Sequence, residues 1–101
     1  MVTAKKVFWT EAAREDLFKI FRRIEGKGAK NQAIEVARQI LAKTALLNTQ
    51  YPQGTVEPLL RNEKEPYSFV MAGFYKIVYS VVGDQVVVET LYHQRQDPTV
   101  G

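Results

Sequence analysis

Three side chains in the last third of the sequence could move a proton or hold a phosphate: Lys76, Glu89 and His93. A lysine binds phosphate oxygens, and an imidazole takes up and releases a proton near neutral pH. The chain has one histidine and no cysteine, so its residues do not form a recognisable metal-binding motif. We therefore expect no metal and no cofactor. The alternative to chemistry is an ordinary Lys–Glu pair on a solvated sheet surface.

A β-hairpin near the end of the chain must position these side chains. Phe74–Val82 and Gln85–His93 are rich in β-branched and aromatic residues, and Gly83-Asp84 between them suits a two-residue turn with glycine first. Pairing across this turn places Lys76 opposite Leu91.

Strict alternation of side chains then assigns each residue to a face of the hairpin. One face is almost entirely apolar and should meet the helices; it carries Tyr75, Ile77, Tyr79, Val81, Val86, Val88, Thr90 and Tyr92. The other face is mixed in polarity, so we expect it to be open to solvent or to a partner. Lys76, Glu89 and His93 should lie together on this open face.

The first half of the sequence predicts a strand followed by two helices. Val7–Trp9 reads as a strand, and Thr10 occupies an N-cap position. Two apolar stripes with helical spacing follow, separated by Gly26-Lys27-Gly28. The first stripe is Ala13, Leu17, Ile20, Phe21 and Ile24, and the second is Ala33, Val36, Ala37, Ile40, Leu41 and Leu47.

The second half is predicted to be β-structure. Tyr51–Gly54 breaks the second helix, Val56–Leu60 reads as a short strand, and Tyr67–Ala72 precedes the hairpin. The order β-α-α-β-β-β indicates an α+β fold, with a helical hairpin packed on one face of a small, mainly antiparallel sheet.

Length and composition limit the class of protein. A chain of 101 residues fits one domain, spanning residues 1–101, and 46% hydrophobic residues suffice for a small core. Signal-peptide and membrane-spanning patterns are not apparent, so we expect a soluble cytoplasmic protein that does not bind membranes. The net charge of +3 slightly favours an anionic partner.

Four short strings, in this order, resemble the RelE/ParE superfamily of bacterial toxins. They are Phe8-Trp9-Thr10-Glu11-Ala12-Ala13, Leu47 with Pro52 and Gly54, Phe74-Tyr75-Lys76-Ile77-Val78-Tyr79, and Leu91-Tyr92-His93-Gln94-Arg95-Gln96-Asp97-Pro98. The resemblance implies the toxin of a type II toxin–antitoxin system, also known from plasmid stabilisation, that inhibits growth. RelE-like members cut mRNA on the ribosome without a metal, whereas ParE-like members inhibit DNA gyrase and lack the catalytic residues.

The resemblance to the nucleases is partial. It would make Glu57, Lys76 and His93 the catalytic residues, and Arg61, Lys64 and Arg95 the residues that bind RNA or another target. Gln94, however, replaces a terminal tyrosine of the nucleases, and lysine does not offer the two-pronged grip of arginine. We therefore favour a ParE-like gyrase inhibitor. The alternatives are a RelE-like endoribonuclease and a degenerate toxin that only binds its antitoxin.

The resemblance also implies a cognate antitoxin as partner. An antitoxin would add a helix or a strand to apolar surfaces of the toxin, and Phe21 and Leu46 are the residues that we expect it to contact. Both a homodimer and a toxin–antitoxin hetero-oligomer are compatible with the sequence.

Overall fold

The computed structural model describes residues 4–50, 55–56 and 67–96. Two helices, α1 (Glu11–Gly26) and α2 (Lys30–Gln50), follow a first strand, β1 (Lys6–Trp9). The later strands are β2 (Thr55–Val56), β3 (Ser68–Ala72), β4 (Tyr75–Val82) and β5 (Gln85–His93), and a single 3-10 turn (Gln94–Gln96) ends the described part. The predicted order β-α-α-β-β-β is confirmed; β2 overlaps the start of the strand predicted for Val56–Leu60, whose remaining residues lie outside the described ranges.

The five strands form one sheet in the order β1-β5-β4-β3-β2. Strands β2 to β5 pair antiparallel, and β1 pairs parallel to β5, with Val7 beside Val86. The sheet is therefore mainly antiparallel, and the first strand lies beside the last. This arrangement makes the α+β assignment correct and places the end of α1 close to the end of β5.

The helices begin and end where local chemistry dictates. Thr10 is the N-cap of α1, and its hydroxyl accepts a hydrogen bond from the backbone N–H of Ala13 at 3.0 Å. Gly28 has a φ of +80°, a backbone conformation that favours glycine, and it allows the sharp turn into α2. Helix α1 packs against α2 and β5, so the helical hairpin covers one face of the sheet.

The core lies between the helical hairpin and the sheet. Its fully buried members come from both layers: Ala13, Ile40, Leu47, Ala72, Ile77, Tyr79, Val86, Val88 and Leu91. The predicted stripe of α2 is wrong at Leu41, which is 50% exposed. Thr44 is buried instead, and its hydroxyl avoids an unsatisfied state by donating to the carbonyl of Leu41 at 2.9 Å.

The β4–β5 hairpin contains an irregularity. Val82 pairs with Gln85 and Tyr79 with Val88, as alternation predicts, but Val78 then pairs with Thr90. Glu89 is therefore an extra residue on β5, which is the defining feature of a β-bulge. Gly83 has a φ of +59° at the first turn position, in agreement with the predicted turn. None of the helices in the described ranges is long and apolar enough to span a membrane.

Candidate functional site

The bulge at Glu89 separates the three side chains that the sequence predicted to lie together. Beyond the bulge Tyr75 pairs with His93, and Lys76 pairs with Tyr92. Because directly paired residues share a face, His93 lies on the helix-covered side and Lys76 on the opposite side. The prediction that Lys76, Glu89 and His93 share one open face is therefore wrong for His93. The physical reason is the extra residue, which exchanges the two faces of β5 from that point onward.

The second correction concerns the exposure of Lys76. Its side chain is only 8% exposed, and its Nζ lies 4.3 Å from the ring centre of Phe69 and 5.7 Å from that of Tyr92. Both distances fit a cation–π interaction. Its neighbours Val78 and Ser80 on the same face are buried as well. The face that the sequence predicted to be open is therefore closed around Lys76. Aromatic rings lie where a phosphate would have to approach its Nζ.

Glu89 is held at the bulge by groups from two neighbouring elements. Its Oε2 accepts a hydrogen bond from the Ser80 hydroxyl at 3.0 Å, and its carbonyl accepts one from the Thr10 hydroxyl at 2.9 Å. Next to it, Asp16 Oδ2 accepts hydrogen bonds from the Thr90 hydroxyl at 2.6 Å and from the Leu91 N–H at 3.1 Å. These contacts give Glu89 a structural role at the junction of α1, β4 and β5.

His93 lies among aromatic rings at the end of β5. Its ring is stacked on Phe74, with ring centres 6.0 Å apart and 19° between the planes, and it meets Tyr75 edge to face at 5.1 Å. His93 Nδ1 accepts a hydrogen bond from the backbone N–H of Arg95 at 3.0 Å. A neutral imidazole that accepts at Nδ1 carries its proton on Nε2, so Nε2 is the atom that would donate to a ligand.

A basic cavity of about 610 Å³ adjoins His93, and we refer to it as the end pocket. It lies between the turn joining the two helices and the ends of β4 and β5. Its lining residues are Arg23, Ile24, Lys27, Ala29, Gln32, Val36, Phe74, Tyr75, His93 and Arg95. Three of these are cations, and none of the described residues that line it is a carboxylate. The end pocket is suited to an anion.

Three of the predicted site residues are not described. Glu57, Arg61 and Lys64 lie outside residues 4–50, 55–56 and 67–96. Of the remaining target-binding candidates, Arg95 is exposed and lines the end pocket. In the part of the chain that the structure describes, no three histidine or carboxylate side chains come close enough to hold a metal ion.

The two predicted antitoxin contacts fall in different places. Phe21 lines an apolar groove of about 580 Å³ on the outer side of the helical hairpin, together with Ile34, Ala37, Arg38, Leu41 and Ala42. We call this the hairpin groove. Leu46, on α2, is 45% exposed but does not line the groove. The structure thus brings Phe21 together with Leu41, which the sequence had assigned to the core.

Sequence reasoning did not find Arg23 and Lys27 as site residues. Both are at the end of α1, where cations are common because they offset the negative end of the helix dipole. Their convergence with Arg95 depends on the packing of α1 against β5, and no local pattern in the sequence signals it.

Comparisons with known proteins identify relatives for almost the whole chain. The family model described as "ParE toxin of type II toxin-antitoxin system, parDE" matches residues 7–98. The chain is similar to one in the structure of the chromosomal ParDE system from P. aeruginosa, with a TM-score of 0.74 and 15% identity. That match covers 90% of this chain and 97% of the other.

A second similar structure is the RelBE2 toxin–antitoxin complex from Mycobacterium tuberculosis. Its TM-score is 0.60 at 22% identity, and the match covers 92% of this chain and 94% of the other. A search of curated protein sequences gives no match. At identities of 15% and 22% the two structures show the fold alone. The family model matches residues 7–98 and therefore shows the family as well.

Proposed function

The chain belongs to the ParE family of toxins from type II toxin–antitoxin systems, and from that premise we propose that it arrests growth by inhibiting DNA gyrase. Inhibition without a catalytic step is the activity that the resemblance to ParE implies. Gyrase acts on DNA inside the bacterial cell, so the toxin would work in the cytoplasm. RNA cleavage is the competing function, and it requires catalytic side chains that reach the same phosphodiester.

One observation supports gyrase inhibition over RNA cleavage: Lys76 and His93 lie on opposite faces of the sheet. Cleavage requires a cation on the scissile phosphate and a proton donor or acceptor within hydrogen-bond reach of the same ribose. His93 pairs with Tyr75, whereas Lys76 is buried on the other face between Phe69 and Tyr92. A single phosphodiester cannot contact both side chains in this arrangement.

Purified toxin should be compared in two assays at the same concentration. We expect it to block DNA supercoiling by gyrase at micromolar concentration and to leave mRNA intact in a translating extract. Prior incubation with the antitoxin should restore supercoiling, which serves as the control for specific inhibition. Codon-positioned cuts in mRNA, with normal supercoiling, would overturn the proposal in favour of the nuclease. Inactivity in both assays, with tight antitoxin binding, would identify a degenerate toxin.

We further propose that the antitoxin covers the hairpin groove with an amphipathic helix. Ile34 and Leu41, which line the groove together with Phe21, are 40% and 50% exposed. Large apolar side chains clustered at a groove are typical of sites that accept the apolar face of a partner helix. Arg38 at the edge of the groove would contact an acidic residue of that helix.

Two leucines of α2 provide a matched pair for testing this surface. Leu41 is 50% exposed and lines the groove, whereas Leu46 is 45% exposed outside it. Leu41→Glu should weaken antitoxin binding at least about 30-fold, since burying an unpaired carboxylate costs more than 2 kcal/mol. Leu46→Glu should change it less than threefold. Calorimetry with the cognate antitoxin measures both. Equal effects of the two changes would exclude the groove as the contact surface.

A further inference from the structure

The end pocket gathers positive charge from two segments that are far apart in the sequence. Arg23 lies in the last turn of α1 and Lys27 directly follows the helix, while Arg95 belongs to the 3-10 turn after β5. The helix dipole accounts for cations at the end of α1, but it does not account for Arg95. Three cations thus line a cavity whose described lining residues include no carboxylate. The pocket therefore has the electrostatic character of an anion site.

An exposed aromatic ring forms one wall of the same pocket. Phe74 is 65% exposed, the highest value among the large apolar side chains in the described ranges. Its ring lies almost parallel to that of His93, and the Phe74 carbonyl accepts the backbone N–H of Gln94 at 2.8 Å. The backbone of the turn is thus fixed while the ring stays open to solvent. A flat, exposed ring beside cations is a surface on which a nucleobase stacks.

The geometry points to a nucleotide as the ligand of the end pocket, with its base on Phe74 and its phosphate on Arg23, Lys27 and Arg95. A cavity of about 610 Å³ is within the range of sites for small organic ligands. Arginine binds two phosphate oxygens at once, and His93 Nε2 is placed to donate to the sugar or the phosphate. An acidic peptide would use the cations but would leave the aromatic wall without a partner.

The ligand chemistry has two sources, a free nucleotide and one unit of a single-stranded nucleic acid. Fluorescence anisotropy of a labelled short oligothymidylate, with the full-length toxin at low salt, measures binding to a strand. Competition with thymidine monophosphate then separates the two sources, because only a pocket that accepts one nucleotide is emptied by it. Neither measurement uses gyrase or the antitoxin, so the outcome of each is independent of whether the protein inhibits gyrase.

Three variants decide whether the end pocket is the site. Arg23→Gln combined with Lys27→Gln should weaken oligonucleotide binding at least about tenfold and reduce the slope of log K against log salt by about 0.7, the contribution of one phosphate contact on a single strand. Phe74→Leu keeps an apolar side chain and should weaken binding at least about fivefold through lost stacking. Lys6→Gln removes an exposed cation that does not line the pocket, and it should change binding less than twofold.

Circular dichroism establishes that each variant is folded before binding is measured. An equal loss for Lys6→Gln and for the double variant would overturn the inference, because the protein's overall charge would then explain the binding. An unchanged affinity in Phe74→Leu would overturn the stacking of a base. Binding of polyglutamate as tight as that of the oligonucleotide would assign the pocket to an acidic protein segment instead.

Discussion

The β4–β5 hairpin has an outer half next to its turn and an inner half beyond Glu89. Both halves pair antiparallel, but the even- and odd-numbered residues of β5 exchange faces between them. In the outer half, Tyr79–Val82 pairs with Gln85–Val88, and in the inner half Tyr75–Val78 pairs with Thr90–His93. Glu89 lies between them, and no residue of β4 is paired opposite it in the register. Alternation along β5 therefore holds within each half and fails across the junction. The difference shows that a strand's face assignment is valid only up to its next bulge.

Three hydrogen-bonded side chains maintain the junction between the two halves. The Thr10 hydroxyl bonds the Glu89 carbonyl, the Ser80 hydroxyl bonds the Glu89 carboxylate, and Asp16 bonds the Thr90 hydroxyl and the Leu91 N–H. Strand β1 ends at Trp9, and Asp16 on α1 takes over the edge of β5 a few residues later. The bulge is thus stabilised from both sides. Substitutions at these positions test whether these hydrogen bonds stabilise the bulge.

The largest expected effect is at Leu91, which the bulge turns into the core. Leu91 is 3% exposed and belongs to the buried cluster, so Leu91→Ala should lower the free energy of unfolding by about 2–5 kcal/mol. Urea unfolding followed by circular dichroism measures the loss. Val87→Ala, at a half-buried position on the opposite face, is the control and should cost clearly less. A loss at Leu91 no larger than the loss at Val87 would mean that alternation continues through the bulge and that the two side chains share one face.

The next largest effect is expected at Asp16. Hydrogen bonds to a charged group contribute about 1.5–3 kcal/mol, and because Asp16 is half-buried, Asp16→Asn should lose about 1.5 kcal/mol, the lower end. Thr90→Val removes one of the two donors and should cost less. Amide exchange at Leu91 should become faster in Asp16→Asn, which locates the loss at the edge of β5. An unchanged exchange rate there would contradict this role.

Thr10 connects the start of α1 to the bulge. Thr10→Ala removes the N-cap bond to Ala13 and the bond to the Glu89 carbonyl, and a lost cap typically costs about 1 kcal/mol. Thermal unfolding measures this change. Thr10→Ser keeps a hydroxyl and should recover most of the stability. If Thr10→Ser is no more stable than Thr10→Ala, the methyl group of Thr10 and not its hydroxyl stabilises the protein at this position.

The smallest effect is expected at Ser80. Its buried hydroxyl bonds the carboxylate of Glu89, which is only half-buried and can also bind water, so Ser80→Ala should cost about 0.5 kcal/mol, the lower end for a hydrogen bond. Glu89→Gln keeps an acceptor for the same hydroxyl and should change stability less. Chemical denaturation of the two variants under the same conditions gives the comparison. A loss at Ser80 that exceeds the loss at Asp16 would show that β4, and not α1, maintains the bulge.

Local signals in the sequence predicted much of the fold. Thr10 as a cap, Gly28 at the helix turn and Gly83 at the hairpin turn are each required by backbone chemistry within a few residues, and all three predictions are confirmed. The bulge has no such signal. Glu89 lies in a run of strand-forming residues without glycine, and its partners Thr10 and Asp16 come from the other end of the chain.

The candidate site was predicted less well for the same reason. His93 was singled out by its type and lines the end pocket, but its face depended on the bulge. Leu41 has helical spacing with the core residues of α2, yet it lies on the flank of that helix and lines the hairpin groove. Arg23 and Lys27 reach the end pocket only because α1 packs against β5. Each of these outcomes is set by tertiary packing.

The parallel pairing of β1 with β5 has a consequence for the order of folding. The Thr10 hydroxyl and the Glu89 carbonyl are 79 residues apart in the sequence, so β1 and its strand neighbour β5 are joined across almost the whole fold. Contacts of such long range slow folding because a large loop must close first. A growing chain therefore cannot add β1 to the sheet before residues 85–93 have been made.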